Sequence, residues 1–384
     1  MNAFRLLRQF NGPKKNAGDK TAPNHPNNTM ERKRKKIMKK LIALLLAAVM
    51  TLALVACGDK SDDQGSNDGQ SGGKKTVVKI SMTEGLNSST YKRAVEFGEK
   101  VNAACGDAFD FQIYPSDQLG SYHDVTMEAI DGSVEMIIGG LSTNLDPRGS
   151  IAYTPYLCSS LDTVDYYYGE GSYIYDLVAD IADGMGLKFL GFDISGMEGM
   201  AVRGDLPENP LDPASDKKGL QIRTTGSPMP KALMTALGYT PVTVEWNEVY
   251  SATQSGMING FLGANAGSAY NQFRDIINYY LPIGFAVDSN RIVVSGKFWD
   301  TMTAEQQDAF ATYAKEIFDE SIAQTKVEEQ DYMDKLEAAG VEVLDMEQAD
   351  YDALAQIARD NCWPLLIDTY GQDVYDEMMA FYSK

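Results

Sequence analysis

Histidine is nearly absent. The 384-residue chain has two, His25 and His123, and His25 falls in a polar, basic amino-terminal stretch that reads as leader. A Ser-His-Asp or Cys-His hydrolase would therefore have to use His123, in "GSYHDVTMEAI". That histidine opens a helical pattern and reads as a partly exposed polar residue. GxSxG, HExxH and GxxxxGK[ST] are all missing. Cysteine is scarce too. Cys57, Cys105, Cys158 and Cys362 include no CxxC pair, which excludes a zinc ribbon and a disulfide framework. If Cys57 is set aside, the other three leave either one disulfide or three thiols. The acids are spread along helices such as "KVEEQDYMDKLE" with no metal-ligand spacing. No metal, cofactor or catalytic group is expected.

Long apolar runs are also missing, with one exception. "MKKLIALLLAAVMTLALVACGDK" places Lys39 and Lys40 before an apolar run from Leu41 to Val55, the layout of a secretory signal segment. The run is too short for a comfortable membrane span. Met38 is the natural initiator, with Met30 as the alternative. The "GDKSDDQGSNDGQSGGKK" that follows is a Gly/Ser/Asp tether. The expected division is leader 1–57, tether 58–75 and a folded part from about residue 76. Only the leader is net positive: residues 1–57 hold 12 of the 34 Lys+Arg and 2 of the 54 Asp+Glu, so the remainder keeps 22 basic against 52 acidic residues, net −30. Such a chain will not track nucleic acid, and anionic lipid will repel it.

Along the folded part, "TVVKISMT", "NSSTYKRAVEFGEKVNAAC", "FDFQIYP", "DVTMEAIDG" and "VEMIIGG" read βαβαβ, which argues for a largely parallel sheet flanked by helices. Residues 220–262 repeat the pattern as "LQIRTT", "PKALMTALG", "TPVTV", "WNEVYSATQSG" and "INGFL". Residues 303–340 carry no proline, and no glycine before Gly340, with Thr303 as a cap. As one helix they would run about 57 Å, so they either bridge two lobes or break. Arg223 ends the first strand of the second series, where ligands of open α/β sheets bind.

"IYPSDQLGSYHDVTMEAIDGSVEMIIGG" and "KGLQIRTTGSPMPKALMTALGYTPVTVEWNEVYSATQSGMINGF" resemble, in order and spacing, the solute receptors of tripartite ATP-independent periplasmic (TRAP) transporters. The resemblance covers about residues 76–384. It implies a two-lobed periplasmic-binding-protein-like α/β fold, each lobe a mostly parallel sheet flanked by helices, with the long helix bridging them. Lobe I would hold 76–200 plus about 289–328, and lobe II 201–288 plus about 329–384. It further implies a receptor for a small organic acid, partnered by integral-membrane permease subunits and expected to be a monomer. "LVAC" resembles a lipobox, which implies a lipid on Cys57 and a place in the periplasm or on the cell surface, anchored to the cytoplasmic membrane.

In the family the arginine at the position of Arg223 pairs with the ligand's carboxylate. A guanidinium fork matches a carboxylate two bonds at a time. The competing reading pairs Arg223 with an acid of the chain such as Asp216. Arg203, 20 residues upstream, matches a second basic position of some relatives, or is a surface charge. Trp246 matches an aromatic that contacts ligand, or is a packing anchor. Thr83 and Glu84 are candidates because they end the first strand. "INGFLGANAGSAY" departs from the family: Asn259 replaces an acid, Gly263 and Ala264 follow Phe261 and Leu262, and Asn265 is the first polar side chain afterwards. Gly263 and Asn265 complete the candidate set. Two other functions stay open, a ligand-presenting sensor lipoprotein for a receptor kinase and an extracellular enzyme working through carboxylates.

Overall fold

A computed structural model describes residues 74–382. The signal segment, the lipobox Cys57 and most of the tether lie outside the described residues. Two mixed sheets organise the chain. The first has the order β2-β1-β3-β10-β4, built from Thr76–Met82 (β1), Phe109–Tyr114 (β2), Met136–Gly139 (β3), Leu187–Met197 (β4) and Val287–Ser295 (β10). The second has the order β11-β9-β5-β8-β6-β7, from Gly199–Val202 (β5), Gln221–Thr224 (β6), Thr240–Thr243 (β7), Gly260–Ala264 (β8), Tyr279–Leu281 (β9) and Glu342–Val343 (β11). Both sheets are mostly parallel. In the first, β10 alone runs against its neighbours β3 and β4; in the second, β5 alone runs against β8 and β9.

Those two antiparallel strands are where the chain changes sheet. It leaves the first sheet through β4, passes Glu198 and enters the second as β5; it returns from β9 to β10. The two crossings are tied together. Glu198 N–H donates to the Ala286 carbonyl at 2.8 Å, and Phe285 N–H donates to the Glu198 carbonyl at 3.0 Å. Gly199 makes room for this approach, since a Cβ there would stand 2.7 Å from the Leu281 carbonyl oxygen.

Helices begin where their capping residues fall. Ser88 accepts from Tyr91 N–H to start Ser89–Ala104 (α1), and Ser121 with Asp124 forms a capping box for Tyr122–Asp131 (α2). Tyr173–Gly184 (α3), Pro228–Ala236 (α4) and Val249–Ser255 (α5) follow. Thr303 and Gln306 cap Ala304–Ala338 (α6), one unbroken helix of 35 residues, about 52 Å long at 1.5 Å per residue. It packs on β4 and α1 beside the first sheet and on β11 beside the second, so it bridges rather than breaks. Phe310 of this helix meets Phe97 and Phe109 at 5.4 Å between ring centroids, in edge-on contacts typical of aromatic cores. Burying each of these rings contributes about 1.5–3 kcal/mol. Arg93 of α1 and Asp193 of β4 form an almost wholly buried ion pair at 2.6 Å, and Thr90 donates to the same carboxylate.

Gln348–Asn361 (α7), Leu365–Tyr370 (α8) and Gln372–Tyr382 (α9) close the chain. They pack on both sides of it. Helix α7 meets α4, while Trp363 donates to the Pro155 carbonyl and the Tyr370 hydroxyl meets that of Ser150. Cys105, Cys158 and Cys362 are free thiols, the last two buried.

Candidate functional site

The carboxyl ends of the parallel strands converge. From the first sheet, β1 delivers Thr83 and Glu84. From the second, β6 delivers Arg223 with Thr224 and Thr225, and β8 delivers Leu262 and Gly263. The two antiparallel strands present their opposite ends to the same place, so β5 is preceded there by Glu198 and β10 begins with Asp288 and Asn290. Tyr122, Tyr153 and Trp246 complete the wall. The cavity offers about 60 Å³ to water centres. That is several times the roughly 10–15 Å³ that admits one water, so the cavity has room for a small molecule.

Arg223 is 3% exposed. Its Nε donates to the Val244 carbonyl at 2.8 Å and its Nη1 to the Leu262 carbonyl at 3.2 Å. The guanidinium carbon stands 5.3 Å from the Trp246 ring centroid, and Trp246 in turn leans on Phe273 and Phe261. These contacts fix the plane of the fork and leave Nη2 without a hydrogen bond to any described residue. Among the described residues no carboxylate comes within 4.0 Å of it. The competing partner Asp216 instead accepts from the Lys218 N–H. Burial depresses the Arg223 pKa, and Tyr122, Glu198 and Glu245 work against that.

Acids crowd the opposite side. Burial, then Asp288 and Asp193, push Glu84 up to about 8 despite a hydrogen bond from Ser268. Burial raises Asp288 to about 6, against donors from Ser195 and Asn265. Glu198 is raised well above the carboxylate range by burial and by Asp288, with Arg223 and Arg291 opposing. Asp117 rises to about 7 through burial, against a hydrogen bond from Thr83. Arg291 lies behind this group, wholly buried, its guanidinium carbon 4.2 Å from the Tyr153 ring centroid and its Nη2 on the Gly149 carbonyl.

Of the residues singled out from sequence, Arg223, Trp246, Thr83, Glu84 and Gly263 line one cavity. Asn265 stands one layer back. It caps a short helical turn by accepting from Ser268 N–H, and donates to Asp288 Oδ2 at 2.6 Å. Arg203 is elsewhere. It is exposed and donates to the Thr253 carbonyl at 3.0 Å. The reason is strand direction: β5 runs against β8, so the carboxyl end that carries Arg203 meets Asn259 at the edge of the sheet away from the cavity. The same reversal brings in Glu198, which sequence reading missed together with Tyr122, Tyr153, Asp288 and Asn290. His123 is not in the wall; its Nδ1 lies 3.2 Å from the Ser142 hydroxyl. No group of three or more His, Cys, Asp or Glu arranged to hold a metal occurs among the described residues.

Residues 80–362 match the family described as bacterial extracellular solute-binding protein, family 7. The chain is 24% identical over 315 residues to the C4-dicarboxylate-binding periplasmic protein DctP of Vibrio cholerae, covering 80% of this chain and 91% of that one. It is 22% identical to the ectoine/5-hydroxyectoine-binding periplasmic protein UehA of Ruegeria pomeroyi, a match that spans 60% of this chain and 66% of that protein. In fold it is similar to a TRAP periplasmic solute binding protein from Desulfovibrio salexigens solved with bound orotic acid, at TM-score 0.72 and 16% identity, over 80% of this chain and 99% of that one. That family is one of solute-binding proteins, not enzymes. Two sheets joined by paired crossings, a cavity at the strand ends between them and a family match over most of the folded part lead to one conclusion: this chain belongs to the bacterial extracellular solute-binding protein family 7.

Proposed function

We propose that this protein is an extracytoplasmic receptor that captures a small organic acid in the cavity between its sheets and delivers it to a TRAP-type membrane permease. The observation that carries the reading is Arg223: a buried guanidinium, oriented by two carbonyls and an indole, with a free edge on a small cavity and no carboxylate within 4.0 Å among the described residues. A buried charge in that state calls for an external counter-ion. The ligands named for relatives, among them C4-dicarboxylates, orotic acid and succinate, support an acid as that partner.

On this reading the chain has two lobes, 76–200 plus about 289–328 and 201–288 plus about 329–384, hinged at the paired crossings and along α6; two sheets whose crossing strands begin at Gly199 and Val287, close to the 200/201 and 288/289 bounds, support that division. Ligand draws them together because only the closed form touches it from both sides. A lipid on Cys57 holds the receptor at the membrane, since a surface this acidic will not bind anionic lipid by itself.

The test is a thermal-shift screen over some hundred organic acids, followed by small-angle scattering with and without the best stabiliser. The expected result is a rise in melting temperature for a small set of acids, and a smaller radius of gyration when one is bound. A chain that no acid stabilises, or whose scattering curve is unchanged at saturation, is not this receptor. Membrane retention persisting in a Cys57→Ser variant would remove the lipid anchor from the account.

A further inference from the structure

A buried guanidinium and a buried carboxyl group face this cavity and do not meet. Arg223 is 3% exposed and Glu198 is 8% exposed. Both border Gly263: a Cβ built there would stand 3.4 Å from Arg223 Nη1 and 3.8 Å from Glu198 Oε2. Those two atoms are thus no more than about 7 Å apart, yet they fall outside the 4.0 Å of an ion pair. Each also lacks a full set of protein partners. The Glu198 carboxyl group receives no hydrogen bond from the described residues; its neighbours do better, since Asp288 is held by Asn265 at 2.6 Å and Glu84 by Ser268 at 3.4 Å. Arg223 has Nη2 to spare. A guanidinium and a carboxylate this close would ordinarily collapse on one another, because leaving both desolvated and unpaired is costly. Here two carbonyls and Trp246 hold Arg223 in place, and the paired chain crossings hold the backbone of Glu198.

Resting on the carboxylate-receptor reading above, we propose that the cavity takes a zwitterion: a small acid that also carries a protonated nitrogen, its carboxylate on Arg223 and its N–H on Glu198. The spacing suits a compact amino or imino acid lying between the two groups. Glu84, Glu198 and Asp288 crowd one side of the cavity, and burial holds all three toward the protonated form. A cationic nitrogen placed beside Glu198 favours its ionised form and pairs with it, whereas a dicarboxylate or a hydroxy acid meets it only as a protonated donor and forms no ion pair. The raised pKa of Glu198 fits a carboxyl group with no counter-ion against it among the described residues.

Calorimetric titration with skeleton-matched pairs tests this: alanine against lactate, serine against glycerate, β-alanine against 3-hydroxypropionate, and proline against tetrahydrofuran-2-carboxylate, with succinate as the dicarboxylate. At least one nitrogen member is expected to bind, with its oxygen counterpart and succinate weaker by roughly 10-fold or more. Glu198→Gln is expected to shrink that ratio by roughly 10- to 100-fold and Glu198→Asp to keep most of it, while Arg223→Ala weakens both members of the pair alike. Melting curves of each variant confirm that it is folded. If oxygen members or succinate bind as tightly as their nitrogen counterparts, or if a folded Glu198→Gln keeps the full ratio, the zwitterion is wrong and the carboxylate receptor stands. If no compound of the panel binds, or Arg223→Ala binds normally, the carboxylate reading falls and this inference falls with it.

Discussion

Gly263 stands against the guanidinium of Arg223 in a backbone conformation, φ +108°, that side chains rarely adopt. Its missing side chain leaves the fork open toward Glu198. Gly263→Ala is expected to cost about 1–3 kcal/mol of stability through backbone strain. It should also weaken binding by more than the melting curve alone would suggest, because the new methyl fills the gap the ligand bridges. Denaturant unfolding and calorimetry on the same preparation separate the two. A variant that loses stability but binds as before would place the ligand away from Gly263.

Arg223→Ala is expected to cost about 2 to 5 kcal/mol of binding free energy, the range for removing one side of a buried charged pair. That is roughly 30- to several-thousand-fold in affinity. Arg223→Lys should recover only part, because a point charge does not reproduce a planar fork. Stability will fall too. Arg223 bonds Val244 and Leu262 and rests on Trp246, so the alanine variant strands two carbonyls and costs about 1–3 kcal/mol in the ligand-free protein. Normal affinity with a lower melting temperature would make Arg223 a purely structural residue.

Arg203→Ala should leave affinity within about twofold of the parent and stability within roughly 1 kcal/mol, since the side chain is exposed and makes one hydrogen bond, to Thr253. Titration with the best ligand of the screen checks it. A tenfold loss would mean that the cleft reaches the far end of β5.

The raised acids give a pH dependence of definite sign. Glu84 titrates at about 8 and Asp288 at about 6, both above their unfolded values. Between about pH 4 and 8 the native state therefore holds more protons than the unfolded chain, and stability falls as pH rises through that window. The ligand-free protein should melt at a higher temperature at pH 5 than at pH 8, by an amount corresponding to a few kcal/mol. Glu84→Gln should flatten the profile. A melting temperature that climbs from pH 5 to pH 8, or a Glu84→Gln profile as steep as the parent's, would show that these carboxyls are well solvated.

Much of the fold was legible because it is local. The βαβαβ series from "TVVKISMT" to "VEMIIGG" is found in the order read, and Thr303 caps its helix at the position expected. The uninterrupted run after Thr303 marked α6, and Arg223 and Trp246 followed from a motif. Strand direction was not legible. "GMAVRGD" reads the same whether β5 runs with or against its neighbours, and that choice decides whether Arg203 or Glu198 reaches the cavity. Nor do single residues announce their partners: Asp288 and Asn290 become wall residues only when β10 is laid beside β3 and β4, and Tyr122 only when α2 is packed on β3. The four polar residues Asp288 to Arg291, at the head of an otherwise largely apolar strand, were a signal available in the sequence.

Glu198 belongs to two machines at once. Its backbone knots the two crossings, and its side chain lines the cavity. Only the main chain of Glu198 ties the knot, so its side chain can be exchanged to suit another solute while the bonds to Ala286 and Phe285 stay in place. Gly199, one residue on, has no such latitude, because any side chain there would press on the Leu281 carbonyl. Appetite and reflex therefore sit on adjacent residues and can be tuned separately.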